Sequence, residues 1–385
     1  MKKNKKALIL NSLYIPNIGG VENSMHEMSK SFKGKGYDVD IVCSNRNHVN
    51  NEILSERYTN EYSTIYRYNV LSIGYLKQIY NCYRLVRSLL KKEKYDSIIS
   101  RGYVTSFCLT LLGVDYHYLI PSVIYEQNRA KFLSYSLSNK VKYLVSSLLQ
   151  IISFNFASNI VFSKGMQEQV SQLCFQKKKV IIKNFGVDSS RFFPKKQEEK
   201  IELRKMLGLE TEYKYLLCLG RFSELKGFDI AIKALSFLDD TYKLLLVGSG
   251  PEEKHYLRII EESQLGDRVK VFGATTNPEL FYQVSDIFFM TSRYESFGQV
   301  LLEATSSGLH VVAFKSGANI LTNTNNIYSE HTNLVTYSDS FDQFGLADAV
   351  RKAYTSAVGE NEFLSFLDKY SWDKLVDELT LKGAN

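Results

Sequence analysis

Long apolar runs are missing from this chain. No segment approaches the roughly 20 consecutive apolar residues that a membrane-crossing helix requires. The run ALIL at residues 7–10, behind the basic start MKKNKK, is too brief for the core of a secretory signal and reads as a first buried strand. Proline is scarce, with five in 385 residues, and low-complexity stretches are few, which argues against long disordered regions. Five cysteines, at 43, 82, 108, 174 and 218, form no CxxC pair and have no histidines clustered beside them. This spacing argues against a zinc site and fits a reducing compartment, so the expected location is cytoplasmic. No repeat of fixed period is present. The absence of GxGxxG leaves a nicotinamide or flavin site poorly supported. No helix-turn-helix, RRM or zinc motif accompanies the basic residues, so nucleic acid is not an expected partner.

What remains is an ordinary globular composition, 44% hydrophobic and 23% charged, in a length that suits two domains. The charge is unevenly divided. Residues 1–185 carry 26 Lys and Arg against 12 Asp and Glu, whereas the rest carry 22 against 29. A basic first half suits phosphorylated ligands or an anionic lipid surface.

Short β-branched or apolar runs alternate with amphipathic stretches along the whole chain. KKALILN, DVDIVCS, YDSIIS, PSVIYEQ, SNIVFS and KVIIKNF read as strands of a first domain. After GVDSSRFFPKKQEEK, where a turn and a charge run interrupt both periods, the pattern restarts. KYLLCLG, YKLLLVGSG, RVKVFG, IFFMTS and HVVAFK are its strands, with helices between them. The fold class expected is α/β, with two doubly wound Rossmann-like domains facing across a cleft. Ligands in such sheets bind at the carboxyl ends of the strands.

The residue types that carry chemistry fall on those ends. LGRFSELKGFD places Arg221 and Lys226 on a loop after a strand, beside Gly220 and Gly227; a planar fork and a point charge together suit a diphosphate. The bland reading is a solvated turn with two surface cations. One unit later, YESFGQVLLEA sets Glu295 at a strand end, Gly298 at a helix start with free N–H groups, and Glu303 on the helix's second turn. Carboxylates accept from paired sugar hydroxyls. Alternatively, Glu295 is a helix-dipole partner and Glu303 a surface residue, although Leu301, Leu302 and Ala304 around Glu303 imply a buried helix. Gly19 and Gly20, in NIGGVE, allow backbone to approach a ligand, or simply form a turn. The DxD of Asp38 and Asp40 lies at a strand's start, the wrong end for a ligand, and His310 has no His or Cys partner; both read as structural.

These segments, in this order, resemble the retaining glycosyltransferases of family 4, which have the two-domain GT-B fold. The resemblance covers PNIGGVENSMHEMSKSFKGKGYDVDIV, VIIKNFGVDSSRFFP, LGRFSELKGFD, LLLVGSGPEEKHYL, VFGATTNPELFYQVSDIFFMTSRYESFGQVLLEATSSG and YSWDKLVDEL. The seven-residue spacing between Glu295 and Glu303 matches the family signature. The resemblance implies that Arg221 and Lys226 bind the donor diphosphate and help the nucleotide leave. It implies that Glu295 faces the donor sugar and that Glu303 holds the ribose hydroxyls. Phe297, Gly298 and Gln299 would lie against the sugar and phosphates, and Gly19 and Gly20 would approach the donor phosphate. No cofactor is implied and a metal is not expected; the nucleotide sugar is a substrate. The implied domains are 1–188 for the acceptor, 189–366 for the nucleotide sugar, and a final helix over 367–385 crossing back to the first.

The chain departs from the family at two places. Many members have a histidine where Glu126 and Gln127 stand, and Gln cannot exchange a proton as His does; these two are the acceptor-side candidates. His310 and Ala318 replace a Pro and a Gly that are common after the signature. The acceptor implied is a saccharide or a polyprenyl-linked saccharide, in assembly of a bacterial surface polysaccharide or glycolipid. Residues 74–96 and 140–154 set Leu, Ile and Tyr against Lys and Arg at helical spacing. Such helices lie on an anionic membrane, peripherally on its inner face, or pack on their sheet with a solvated basic side. Two rival functions share the architecture: a non-catalytic partner subunit, against which the intact Arg221, Lys226, Glu295 and Glu303 argue, and a nucleotide-sugar epimerase, which would not need that set.

Overall fold

The computed structural model describes residues 5–17, 19–47, 50–70, 74–129, 136–175, 179–295, 297–317, 320–354 and 360–380. The chain divides into two units, Met1–Asn184 with Trp372–Asn385, and Phe185–Ser371.

The first unit is built on eight strands: β1 (Lys5–Leu10), β2 (Tyr37–Ser44), β3 (Arg57–Thr59), β4 (Thr64–Tyr68), β5 (Ser97–Ser100), β6 (His117–Leu119), β7 (Ser158–Val161) and β8 (Ile181–Ile182). Their order is β3-β4-β2-β1-β5-β6-β7-β8, parallel except for β3, which pairs antiparallel to β4. Ala7, Leu8, Ile9 and Leu10 are all fully buried, as a central parallel strand covered on both faces demands. The order reverses direction between β1 and β5, so the loops after those strands meet the sheet's switch point.

PSVIYEQ is not a strand. The strand is β6, immediately before it, and Ile124–Arg129 is a short helix. Ile120 donates the last sheet bond, to Ile160 O, and Pro121 has no N–H with which to continue. Helix Trp372–Thr380 packs on helix Gly20–Gly34 of this unit. Asp373 accepts from Ser31 Oγ at 2.5 Å, Lys35 pairs with Asp377 at 2.7 Å, and Leu375, Val376 and Leu379 are buried.

The second unit carries β9 (Lys214–Leu219), β10 (Tyr242–Val247), β11 (Val269–Phe272), β12 (Ile287–Met290), β13 (His310–Phe314) and β14 (Val335–Ser338). All are parallel, in the order β11-β10-β9-β12-β13-β14. Every residue of β10, β12 and β13 is buried. The reversal falls between β9 and β12. The loops that leave those two strands are the ones that carry Arg221, Lys226 and Glu295.

Candidate functional site

The loop after β9 turns tightly because its neighbours occupy the space around it. Phe222 is fully buried against Phe228 and Tyr256, and Tyr256 donates its hydroxyl to Ser223 O. Glu224–Lys226 form one 3-10 turn, closed by Gly227 at φ +64°. A Cβ on Gly227 would stand 2.2 Å from Thr291 O, so the β9 and β12 loops touch backbone to backbone there. Thr291 donates its hydroxyl to Lys226 O at 2.9 Å. Arg293 clamps the other side, with a two-pronged ion pair to Asp229 and a bond to Glu224 O at 2.6 Å.

These loops bring together the residues that the sequence singled out. Lys226 Nζ donates to Glu295 Oε2, and both side chains are largely but not fully shielded. Glu295 is held by its own N–H, which donates to Leu321 O at 2.9 Å. Arg221 is exposed and has no ion pair among the described residues. The edge therefore carries two cations and one carboxylate, with one cation already engaged. Arg221 and Lys226 thus share the loop after β9, at the switch point of the sheet where ligands of such folds bind.

Gly298, at φ +97°, opens helix Gln299–Ser306. A Cβ there would meet Leu301 Cδ1 at 2.9 Å. Phe297 is buried, its ring 4.8 Å from that of Phe185. Gln299 donates Nε2 to Gly186 O at 3.0 Å, so its side chain is a strut to residues 185–193 as well as a candidate ligand contact. Glu303, one turn further, accepts from the Tyr282 hydroxyl at 2.9 Å. Burial pushes its carboxyl up to about 7, against the Tyr282 hydrogen bond and the charge of Arg191, with Glu279 adding to the rise. Arg191 donates to Glu279 Oε2 at 2.7 Å.

Tyr282, Arg191 and Glu279 are therefore neighbours of Glu303 that the sequence reading missed. Tyr282 looked like core in a helix, and it is core; only the fold reveals that its hydroxyl tip reaches Glu303. Arg191 lies 112 positions before Glu303, and its approach depends on the packing of residues 185–193. The visible signal was the arginine in DSSRFFP, a charged residue directly before two phenylalanines.

In the first unit, Gly19 is extended and caps helix Gly20–Gly34. A Cβ on Gly19 would fall 2.4 Å from Glu22 Oε2, whereas one on Gly20 would meet open space. Glu22 is buried, its carboxyl raised by desolvation and countered by Arg101, and it accepts from Asn11 Nδ2 at 3.3 Å. Asn11, Glu22 and Arg101 had no sequence signal beyond polarity next to a strand end. Glu126 lies half-buried on helix Ile124–Arg129; Gln127 is in the same helix, and its side chain lies outside the described residues, as does Ala318.

The two decoys stay away from this edge. Asp40 accepts from the Tyr95 hydroxyl at 2.7 Å, and Asp38 pairs with Lys33 at 3.5 Å, near the start of β2. His310 opens β13 with Nε2 2.8 Å from Thr336 Oγ1; burial lowers it to about 4, so it is neutral. A cavity of about 350 Å³ lies beside it, lined by Lys195, Lys200 and Asp286 among others, at the amino ends of β12 and β13. That is the edge opposite Arg221 and Lys226. Among the described residues no group of His, Cys, Asp and Glu could hold a metal ion.

Comparison with known proteins meets this geometry. The family model described as Glycosyltransferase Family 4 matches residues 18–191, and that described as Glycosyl transferases group 1 matches residues 199–358. An uncharacterized glycosyltransferase of Methanocaldococcus jannaschii is 30% identical over 306 residues, 75% of each chain. The chain belongs to glycosyltransferase family 4. Among its relatives, the alpha-monoglucosyldiacylglycerol synthase of Streptococcus pneumoniae is 26% identical over 319 residues, 78% of this chain and 69% of that one. HepE of Anabaena, solved in complex with UDP-glucose, has the same fold, with a TM-score of 0.74 at 17% identity over 97% of this chain and 98% of that one. Glu295 precedes helix Gln299–Ser306 in this GT-B fold, and Glu303 lies within that helix.

Proposed function

We propose that this glycosyltransferase moves a hexosyl or N-acetylhexosaminyl group, with retention at the anomeric carbon, from a nucleotide-sugar donor to a saccharide or lipid-linked saccharide acceptor. The observation that carries this reading is the Lys226–Glu295 pair at the switch point of the second sheet, on the same loop as exposed Arg221, which has no ion pair among the described residues. Departure of a nucleoside diphosphate leaves charge on its phosphate oxygens. Two fixed cations stabilise that charge in the transition state without a metal, so we propose that none is required. Glu295, held by Lys226, faces the donor sugar, and Glu303 accepts from the ribose hydroxyls. The backbone from Phe297 to Gln299 lies along the sugar and phosphates, and Gly19 and Gly20 approach the phosphate from their own loop. Glu126 and Gln127 are the acceptor-side candidates.

The UDP-glucose complex of HepE favours a uridine donor. The glycolipid named by the pneumococcal relative favours a lipid-bearing acceptor, in assembly of a bacterial surface polysaccharide or glycolipid. No described helix is long and apolar enough to cross a membrane. We place the protein in the cytoplasm, associated peripherally with the inner face of the cell membrane.

A thermal-shift panel of UDP-, GDP- and ADP-sugars, with and without Mg2+, tests the donor reading. One nucleotide series should stabilise the protein without metal, and Arg221→Ala with Lys226→Ala should remove the shift. Glu295→Ala should lower transfer by roughly 10²-fold or more while leaving that shift largely in place. Asp38→Ala should change neither. A shift that survives loss of both cations would overturn the site assignment.

A further inference from the structure

Helix Leu137–Phe154 is oriented against its own composition. It buries Ser146, Ser147, Gln150 and Ser153, together with Tyr143, Leu149 and Phe154. Most of the inward polar groups have partners: Gln150 Nε2 donates to the Tyr118 hydroxyl at 3.0 Å and to Ser122 O at 2.8 Å, and Ser153 Oγ donates to Leu149 O. Its outer face instead presents Leu137 at 80% exposure, Val141 at 53%, Leu144 at 52% and Leu148 at 56%. The spacing i, i+4, i+7, i+11 makes one continuous stripe on the helix. Singly exposed apolar residues need no explanation, but a row of four, on a helix that turns its serines inward, marks a docking surface.

Helix Leu137–Phe154 and a second helix, Tyr75–Lys92, both pack on the same helix, Tyr103–Leu112. The Tyr75 hydroxyl and Ser146 Oγ both donate to the Tyr103 hydroxyl, at 3.2 and 3.3 Å. This second helix buries Cys82, Val86 and Leu89 and turns Lys77, Arg84, Arg87 and Lys91 to solvent. With them stand Leu76, 79% exposed, and Tyr80, whose ring lies under the Arg84 guanidinium. Neither helix contains an acidic residue. The unit thus carries an apolar stripe on one of the two helices that flank Tyr103–Leu112 and a basic row on the other, in the half of the chain that carries the positive charge.

We propose that these two helix faces dock on the surface of an anionic phospholipid bilayer, with Leu137, Val141, Leu144 and Leu148 entering the acyl boundary and Arg84, Arg87 and Lys91 meeting headgroup phosphates. The absence of acidic side chains and the pairing of leucines with arginines fit lipid headgroups over a second copy of the chain, which would face basic with basic. The surface deepens the peripheral-membrane reading given above, and its test is independent of the donor site.

The experiment is co-sedimentation of the full chain with vesicles of phosphatidylglycerol and phosphatidylcholine, against pure phosphatidylcholine, at low and high salt. Binding should require phosphatidylglycerol and weaken with salt. Leu144→Glu with Leu148→Glu should lower the vesicle affinity by more than about 10-fold. Arg84→Gln with Arg87→Gln should lower it roughly 25-fold, at about 1 kcal/mol for each cation. All these positions are at the surface, so thermal midpoints and the donor-induced shift should match the wild type, which separates failure here from failure of the glycosyl-transfer reading. No sedimentation with anionic vesicles, or equal sedimentation of the leucine variant, would overturn the proposal. Self-association abolished by the leucine variant, with no vesicle binding, would assign the stripe to a second copy instead.

Discussion

At the residue scale the unusual group is Glu303. Its carboxyl lies at about 7 in the folded chain, against an ordinary value of 4.5, because desolvation outweighs the Tyr282 bond. Between those values the folded protein holds a proton that the unfolded chain has released. The stabilisation linked to that proton is therefore present at low pH and lost as pH rises through about 7. A donor whose ribose hydroxyls donate to Glu303 prefers the ionised form, so its affinity should move in the opposite sense. Donor titrations by calorimetry on either side of pH 7 should show tighter binding at the higher pH. Glu303→Gln should bind more weakly and lose the pH dependence. Equal pH dependence in the variant would place the titrating group elsewhere.

At the element scale the site depends on two loops that meet through backbone. Gly227 is the contact point: its φ is +64°, and a Cβ would penetrate Thr291 O. Alanine there combines left-handed strain with a clash that no rotamer relieves. Gly227→Ala should destabilise the second unit by about 2 kcal/mol or more and displace Lys226, weakening donor binding. Gly266→Ala is the control, since that position has open space and needs no positive φ. Denaturant midpoints of the two variants provide the comparison, and equal midpoints would refute the contact. Much of this scale was legible in the sequence. The alternation of apolar runs located β9 to β13 of the second unit but missed β14, and the loop after β9 was placed correctly. PSVIYEQ was misread because β-branched residues around a proline look like a strand until the ladder's end at Pro121 is known. The outward leucines of helix Leu137–Phe154 were equally hidden. Periodicity identifies a stripe, but cannot say whether that stripe faces the sheet or the solvent.

At the scale of the whole molecule, the chain leaves the first unit at Asn184 and returns to it at Trp372. The return helix bears the chain's single tryptophan. Trp372 is buried, so its fluorescence should report the first unit alone. Leu375 is 1% exposed in that helix, and Leu375→Ala should cost about 2–5 kcal/mol. The tryptophan-detected denaturant midpoint should fall, while donor-induced stabilisation of the second unit persists. If every probe shifts together, the units unfold as one.

The sequence by itself determined the period of each element, the α/β class, the family signature, and the types of charge that arrive at the strand ends, because these are local or follow from chain order. Only the tertiary structure decided which distant groups became neighbours. Lys226 meets Glu295 across two loops, Tyr282 and Arg191 stand around Glu303, and Asn11 donates to Glu22. It also decided which side of each helix faces water. Burial and contact are set by packing among segments up to hundreds of residues apart, and no local pattern encodes that packing.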